Sequence, residues 1–171
     1  EAYEDINGDG IINSSDLVLH DMTPEPRQMF GFSTNFSHKR WGMGMTWRGE
    51  FGQFVYNNVN SNHGHYNEVG GSMRHLNNLT ADYLNTGFKT QQYLSDYYIE
   101  EASYIRLDNL YLSYDIGNLY KDKYPARINA SMQNVYTFTN YSGLDPEISG
   151  GIDNMIYPRP RIFNLQLNVS F

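Results

Sequence analysis

The last ten residues of the chain alternate strictly between apolar and polar. Phe163, Leu165, Leu167, Val169 and Phe171 are apolar, and Asn164, Gln166, Asn168 and Ser170 between them are polar and uncharged. Side chains of a β-strand point to opposite faces with a period of two, so this pattern predicts a strand with one dry face and one wet face. Four earlier segments carry the same signature. Ile128, Ala130, Met132, Tyr136 and Phe138 alternate with Arg127, Asn129, Ser131, Gln133 and Thr137. Leu110, Leu112, Tyr114 and Ile116 share one phase, whereas Ile105 and Leu107 just before them share the other, which predicts a bulge near Asp108. Trp41, Met43, Met45, Trp47, Phe51 and Val55 oppose Gly42, Gly44, Thr46, Arg48 and Glu50, and Phe30, Phe32 and Phe36 oppose Gly31, Ser33, Asn35 and Ser37. Five strands are therefore expected, at 28–37, 41–56, 104–116, 126–138 and 162–171.

The connections alternate in length. Turns are expected around 38–40 and 117–125, long loops at 57–103 and 139–161, and a long stretch, 1–27, precedes the first strand. Short turns at one end and long loops at the other are the pattern of an outer-membrane barrel, with the long loops extracellular. A soluble sandwich alternates too, but has no reason to gather its long loops at one end. With the loops outside, the last strand descends and Phe171 marks the periplasmic rim. Phe30, Phe36, Trp41, Tyr136, Phe138 and Phe163 then fall at strand ends, where aromatic rings favour the membrane interface. An open sheet of five strands would leave unpaired edges facing lipid, so the chain is expected to be part of a larger barrel. Inside the first long loop, Met73, Leu76, Leu79, Tyr83 and Leu84 have helical spacing, and Gly87 would end that helix.

Composition narrows the function. Twelve Lys and Arg against 19 Asp and Glu give a net charge of −7 and a pI near 5.1, which excludes a nucleic-acid partner and a basic membrane-surface helix. The absence of cysteine removes disulfides and thiolate metal sites and fits any compartment. No apolar run is long enough for a transmembrane helix, but strands of ~9–11 half-polar residues escape hydropathy, so the mean hydropathy of −0.60 decides little.

One local motif carries chemistry. Asp5, Asn7 and Asp9 stand at positions 1, 3 and 5 of a calcium-loop pattern, Gly10 at 6, the Ile11 carbonyl at 7, Asn13 at 9 and Asp16 at 12. Alternate residues reach inward because such a loop winds around its ion. Asp in place of the usual Glu at position 12 shortens the reach. The same residues also suit a metal-free Asx/Gly turn, and both readings give the segment a structural role, with Ca²⁺ its one possible cofactor. His63 and His65 lie in an Asn- and Gly-rich stretch without the acid or thiol partners that complete a transition-metal site. Glu100–Glu101 and Asp145–Glu147 are chain neighbours rather than carboxylates facing across a cleft, so they do not suggest glycoside hydrolysis. With no nucleophile elbow and no phosphate loop either, the sequence reads as no enzyme and has no catalytic residues to name. Tyr66, Tyr83, Tyr93, Tyr97, Tyr98 and Tyr141 lie among amides and acids in the loops, where they suit either sugar or peptide ligands or plain loop packing.

Four blocks, taken in order, resemble one family: Asp5–Asp16, Ala102–Tyr114, Gln133–Glu147 and Tyr157–Phe171. The chain is similar to the SusC/RagA-type TonB-dependent transporters of the outer membrane. The resemblance implies an all-β, antiparallel transmembrane barrel of about 22 strands around a plug, of which this chain is the last five. It implies energy supplied through the TonB complex, a SusD-like surface lipoprotein closing over the loops, and import of oligosaccharides or peptides. Phe171 and the alternation before it resemble the signal read by the barrel-assembly machinery. The plug and TonB-coupling parts are not in this sequence, and substrate-binding residues are not assignable from it. The other reading is a calcium-dependent, dockerin-like or carbohydrate-binding β module, which Asp5–Leu17 alone would suit.

Overall fold

The computed structural model describes residues 3–70, 78–120 and 123–170. The chain divides into two compact units, a sheet unit (Pro26–Gly52, Ala102–Asn140, Tyr157–Phe171) and a loop unit (Glu1–Glu25, Gln53–Glu101, Tyr141–Ile156).

The sheet unit contains β1 (Gln28–His38) and β2 (Trp41–Phe51), joined by a turn in which Lys39 takes a positive φ of 53°. The loop unit then supplies β3 (Phe54–Tyr56), α1 (Asn58–His63) and β4 (Ile99–Glu101). The sheet unit resumes with β5 (Tyr104–Leu119), β6 (Tyr124–Thr139) and β7 (Ile162–Val169). The five long strands form one antiparallel sheet in the order β1-β2-β5-β6-β7. Both long connections leave from the same end of this sheet, the end that carries Phe51, Tyr104, Thr139 and Ile162.

Register puts the apolar residues side by side. Across the sheet, Phe36, Met43, Leu112, Ala130 and Leu165 form one row, and Met45, Leu110, Met132 and Phe163 form another. The face they build is open: Phe32 is 57% exposed and Leu165 76%. Water would not tolerate so wide an apolar surface on a free monomer, whereas lipid would. Among the described residues β1 and β7 each have one neighbour, so both edges of the sheet are unpaired. No described helix is long and apolar enough to cross a membrane, which says nothing about crossing by strands.

Asp108 is where the strand phase changes. Thr46 pairs with Asn109 and Trp47 with Leu107, so β2 passes Asp108 without a partner. On the other side Asn134 and Val135 fill the same gap, with Asn134 at a φ of 51°. The bulge returns Ile105 and Leu107 to the apolar face despite their odd numbers. Aromatic pairs mark both strand ends: Trp41 packs on Tyr114 (4.5 Å) at the turn end, and Trp47 on Phe138 (6.4 Å) and Tyr136 on Phe138 (4.6 Å) at the other. Gly49 lies under the Phe30 ring and against the Tyr104 carbonyl, so a Cβ there would sit 2.2 Å from the ring and 2.9 Å from the backbone oxygen.

The single strand expected over 41–56 is two. Gly52 takes a φ of 79°, a left-handed conformation that few other residues adopt, and ends β2. Phe54–Tyr56 instead pairs with Ile99–Glu101 in a two-stranded sheet of the loop unit, where Val55 is buried. The expected loop over 57–103 therefore contains a strand, α1 and short turns. Of the helix expected around Met73–Leu84, Met73 and Leu76 lie outside the described residues. Tyr83–Thr86 makes a single helical turn that stops at Gly87 (φ 61°). Phe171 also lies outside them.

Candidate functional site

The calcium-like loop is closed by its own hydrogen bonds. The N–H groups of Gly8, Asp9 and Gly10 donate to the Asp5 carboxylate at 2.7–3.2 Å. Asp9 accepts from Ile11 N–H (2.8 Å) and from the Asn7 amide (3.2 Å), and Asp16 from the N–H groups of Asn13 (2.8 Å) and Ile6 (3.0 Å). The Asn13 N–H, with those of Asn7 and Ile6, holds the Asp16 carboxyl below its ordinary 3.8. Among the described residues no three His, Asp or Glu side chains gather into a metal-ligand group. The loop ends in the 3₁₀ turn Ser14–Asp16, without the helix a dockerin-like repeat requires.

A cavity of about 640 Å³ lies within the loop unit, walled by α1, the segments around Asp82 and Tyr98, and the loop carrying Ser142 and Asp153. Glu100 fastens two of these walls. Its Oε1 accepts from the Asn57 side-chain amide (2.8 Å) and the Ser142 hydroxyl (2.7 Å), and its Oε2 from the Ser142 N–H (2.8 Å). The Tyr141 hydroxyl donates to Asp153 Oδ2 (2.8 Å), and burial, then that bond, push it above its ordinary range. The Tyr97 hydroxyl donates to Asp82 Oδ1 (3.1 Å); burial, then that bond, raise it too. Burial, with the Asp82 charge behind it, pushes Tyr98 up to about 12. These tyrosines keep their protons at neutral pH.

The loop aromatics thus divide. Tyr98 and Tyr141 are buried and hold the loops together, whereas Tyr66, Tyr93 and Tyr97 are exposed, with Tyr97 also in the cavity wall. His63 pairs with Glu68 (3.3 Å) rather than joining His65 in a metal site. Asp145 caps its own turn by accepting from Glu147 N–H (2.9 Å).

On the polar face of the sheet, Asn129 pairs with Gln166, Ser131 with Asn164 and Arg127 with Asn168. A cluster that sequence pattern alone does not assemble lies on the same face. Arg48 donates to Asp108 (2.6 Å), Arg106 to Thr137 (2.9 Å), and both guanidinium groups lie over the buried Tyr104 ring at 5.8 and 5.1 Å. The available signal was the rarity of charge on otherwise amide-rich strands.

No family model matches the chain. The TonB-dependent receptor SusC of Bacteroides thetaiotaomicron is 32% identical across 99% of this chain, an alignment that covers 17% of that protein. The chain belongs to the SusC-type TonB-dependent receptor family. TonB-dependent receptor P3 of Formosa agariphila is 27% identical over the whole chain and 19% of its own length. Among solved structures, the RagAB peptide transporter superposes with a TM-score of 0.76 at 23% identity, and the RagAB peptide importer in its closed-closed state with 0.73 at 27%. Each covers 94% of this chain and is itself covered to 19%. The SusC-type segment thus spans about a sixth to a fifth of its relatives' length, and those relatives are named as receptors and transporters, not enzymes.

Proposed function

We propose that this chain is a wall segment, with its loops, of a TonB-dependent importer in the outer membrane that takes up oligosaccharides or peptides with a SusD-like lipoprotein. In this reading its five strands are the last of an about 22-stranded barrel closed around a plug, the long loops are extracellular and the chain ends on the periplasmic side. The observation that carries it is the open sheet itself, with one continuous apolar face, an amide-rich opposite face and two edges that are unpaired among the described residues. The loops form part of a ligand cavity, and the polar face lines the lumen. The test uses the intact receptor that contains this segment. It is expected in the outer-membrane fraction, heat-modifiable on gels, bound to a surface lipoprotein, and importing labelled oligosaccharide or peptide only while the proton-motive force is intact. A receptor that stays soluble without detergent would sink the proposal.

A second proposal concerns the first loop: Asp5, Asn7, Asp9, the Ile11 carbonyl and Asp16 take Ca²⁺ as a structural ion. An all-oxygen donor set suits this cation, and the N–H groups of Gly8 and Gly10 already wind the chain around Asp5. Calcium is expected to protect the segment around Asp5–Asp16 from protease, chelator to reverse this, and Asp5→Asn to abolish it; a calorimetric titration showing no binding removes the ion. In the absence of calcium the sign for pH follows from Asp16. Its depressed carboxyl lends the loop stability above its unfolded value of about 3.8, lost as pH falls through the lower folded value. The stability that the calcium-free loop keeps should therefore persist above about 3.8 and fall as the pH is lowered further.

A further inference from the structure

We propose that Arg40, with Lys39 beside it, binds the headgroup of an anionic phospholipid at the turn end of the sheet. The apolar face carries an aromatic pair near that end: Trp41 stands directly opposite Tyr114, ring centroids 4.5 Å apart, in a row that Ile128 and Leu167 continue. The next row outward is Gly117, Ala126 and Val169. Directly paired residues of antiparallel strands point to the same face, so this row belongs to the apolar face as well. Gly117 has no side chain to place there, and the Arg40 guanidinium borders the space: its Nη2 lies 3.8 Å from where a Cβ of Gly117 would stand. The Arg40 carbonyl accepts from Asp115 N–H (2.8 Å), which fixes the backbone from which the side chain extends. A guanidinium therefore lies on the apolar side of the sheet, just beyond the ring pair.

No acid of the described residues answers that charge. Asp115 stands opposite Arg127 on the polar phase, pairs with it (3.7 Å) and accepts from Gly117 N–H (3.0 Å). Glu50 and Asp108 lie towards the loop end of the sheet. Among the described residues Arg40 makes no ion pair, and both Arg40 and Lys39 are exposed. The described part of this end carries Lys39, Arg40, Lys123 and Arg127 against Asp115 alone, so its field is positive. Depth and charge then select the occupant. Amphipathic rings and cations at the margin of an apolar face stand at the level of lipid headgroups. A guanidinium presents a planar fork that matches two phosphate oxygens, and the surplus of cations favours a headgroup with net negative charge. A soluble anion could meet the same donors, but a lipid phosphate is held at this depth by its own chains, which the row of Met43, Leu112, Ala130 and Leu165 seats. The inference rests on the reading that this face meets lipid, and not on import.

The test titrates the intact receptor in detergent with phosphatidylglycerol and, separately, with phosphatidylcholine of the same chains, and counts bound lipid by native mass spectrometry. Both lipids carry the phosphate, but only the first has a net charge. Phosphatidylglycerol is expected to bind about tenfold more tightly, and Arg40→Gln should weaken it about fivefold, as loss of one cation beside a headgroup does. Lys39→Gln should weaken it by about two- to fivefold. Arg127→Gln removes the same charge from the same end but from the other face, and should leave the lipid bound as before. Heat-modifiable migration verifies that each variant is folded. Excess inorganic phosphate, offered as the free anion, should not displace the lipid. Equal binding of the two lipids, a folded Arg40→Gln that binds undiminished, an Arg127→Gln as weak as Arg40→Gln, or displacement by inorganic phosphate overturns the proposal. A receptor that imports but prefers neither lipid loses this site and keeps the importer reading. One that holds phosphatidylglycerol through Arg40 and imports nothing keeps the site and loses that reading.

Discussion

Arginine in place of Leu112 should destabilise the folded receptor in a bilayer by about 2–4 kcal/mol, while arginine in place of Gln166 should change it by less than about 1 kcal/mol. Leu112 stands mid-row on the apolar face, paired with Met43 on one side and Ala130 on the other, and is 43% exposed in the isolated segment. A charge there has no protein partner and no water, so it must drag a hydration defect into the lipid. Gln166 points to the other face, opposite Asn129, where a long charged side chain meets polar groups. Both positions are in strands, both gain the same side chain, and only the face differs. Reversible unfolding from liposomes, read by heat-modifiable migration, measures the difference. Equal costs at the two sites would mean that neither face contacts lipid.

That contrast of faces is the part of the fold most legible in the sequence. Alternation is a local property, fixed by the pleat of each strand, so Phe163, Leu165 and Leu167 declare their face without knowledge of their neighbours. The bulge was legible for the same reason, because the change of phase between Leu107 and Leu110 requires one residue, Asp108, to be passed over. The end of β2 was not. Phe51 and Val55 keep the odd phase that Trp41 begins, and only the left-handed Gly52 separates them. Glycine permits either sign of φ, and its partners in space choose between them. Here the choice frees Phe54–Tyr56 to pair with Ile99–Glu101, more than forty residues further on.

The candidate cavity was still less legible. Its wall joins residues near 57–60, 80–85, 97–100 and 142–155, which share no period and no motif. The tyrosines announced that something aromatic happens in the loops, but not that Tyr141 would spend its hydroxyl on Asp153 while Tyr98 keeps its own unmatched. The calcium-like loop stands at the opposite extreme. Its spacing is plain in twelve residues, yet the structure closes it through backbone N–H groups and gathers no three acids, so a legible motif is not by itself an assembled site.

Glu100→Ala should loosen the loop unit by about 2–4 kcal/mol and leave the sheet unit as it is. Glu100 faces Val55 across the β3–β4 pair and gathers three donors, the Asn57 amide, the Ser142 hydroxyl and the Ser142 N–H. It therefore ties the first long connection to the second. Asn57 is buried, and although its side-chain amide also reaches the Ser142 hydroxyl (3.0 Å), the charge-assisted partner is the one lost. The Ser142 N–H loses its only side-chain acceptor among the described hydrogen bonds. Glutamine recovers part of this, since one carboxylate oxygen becomes an NH₂ that must face either the Ser142 N–H or the Asn57 amide, donor against donor. The expected order is therefore wild type, then Gln, then Ala. Hydrogen exchange reads it directly: loop-unit amides that open together should exchange roughly thirty- to a thousandfold faster in the alanine variant, with β5 and β6 amides unchanged. Uniform acceleration across both units would mean that they unfold as one body. No acceleration at all would mean that the Glu100 bonds do not hold the loops.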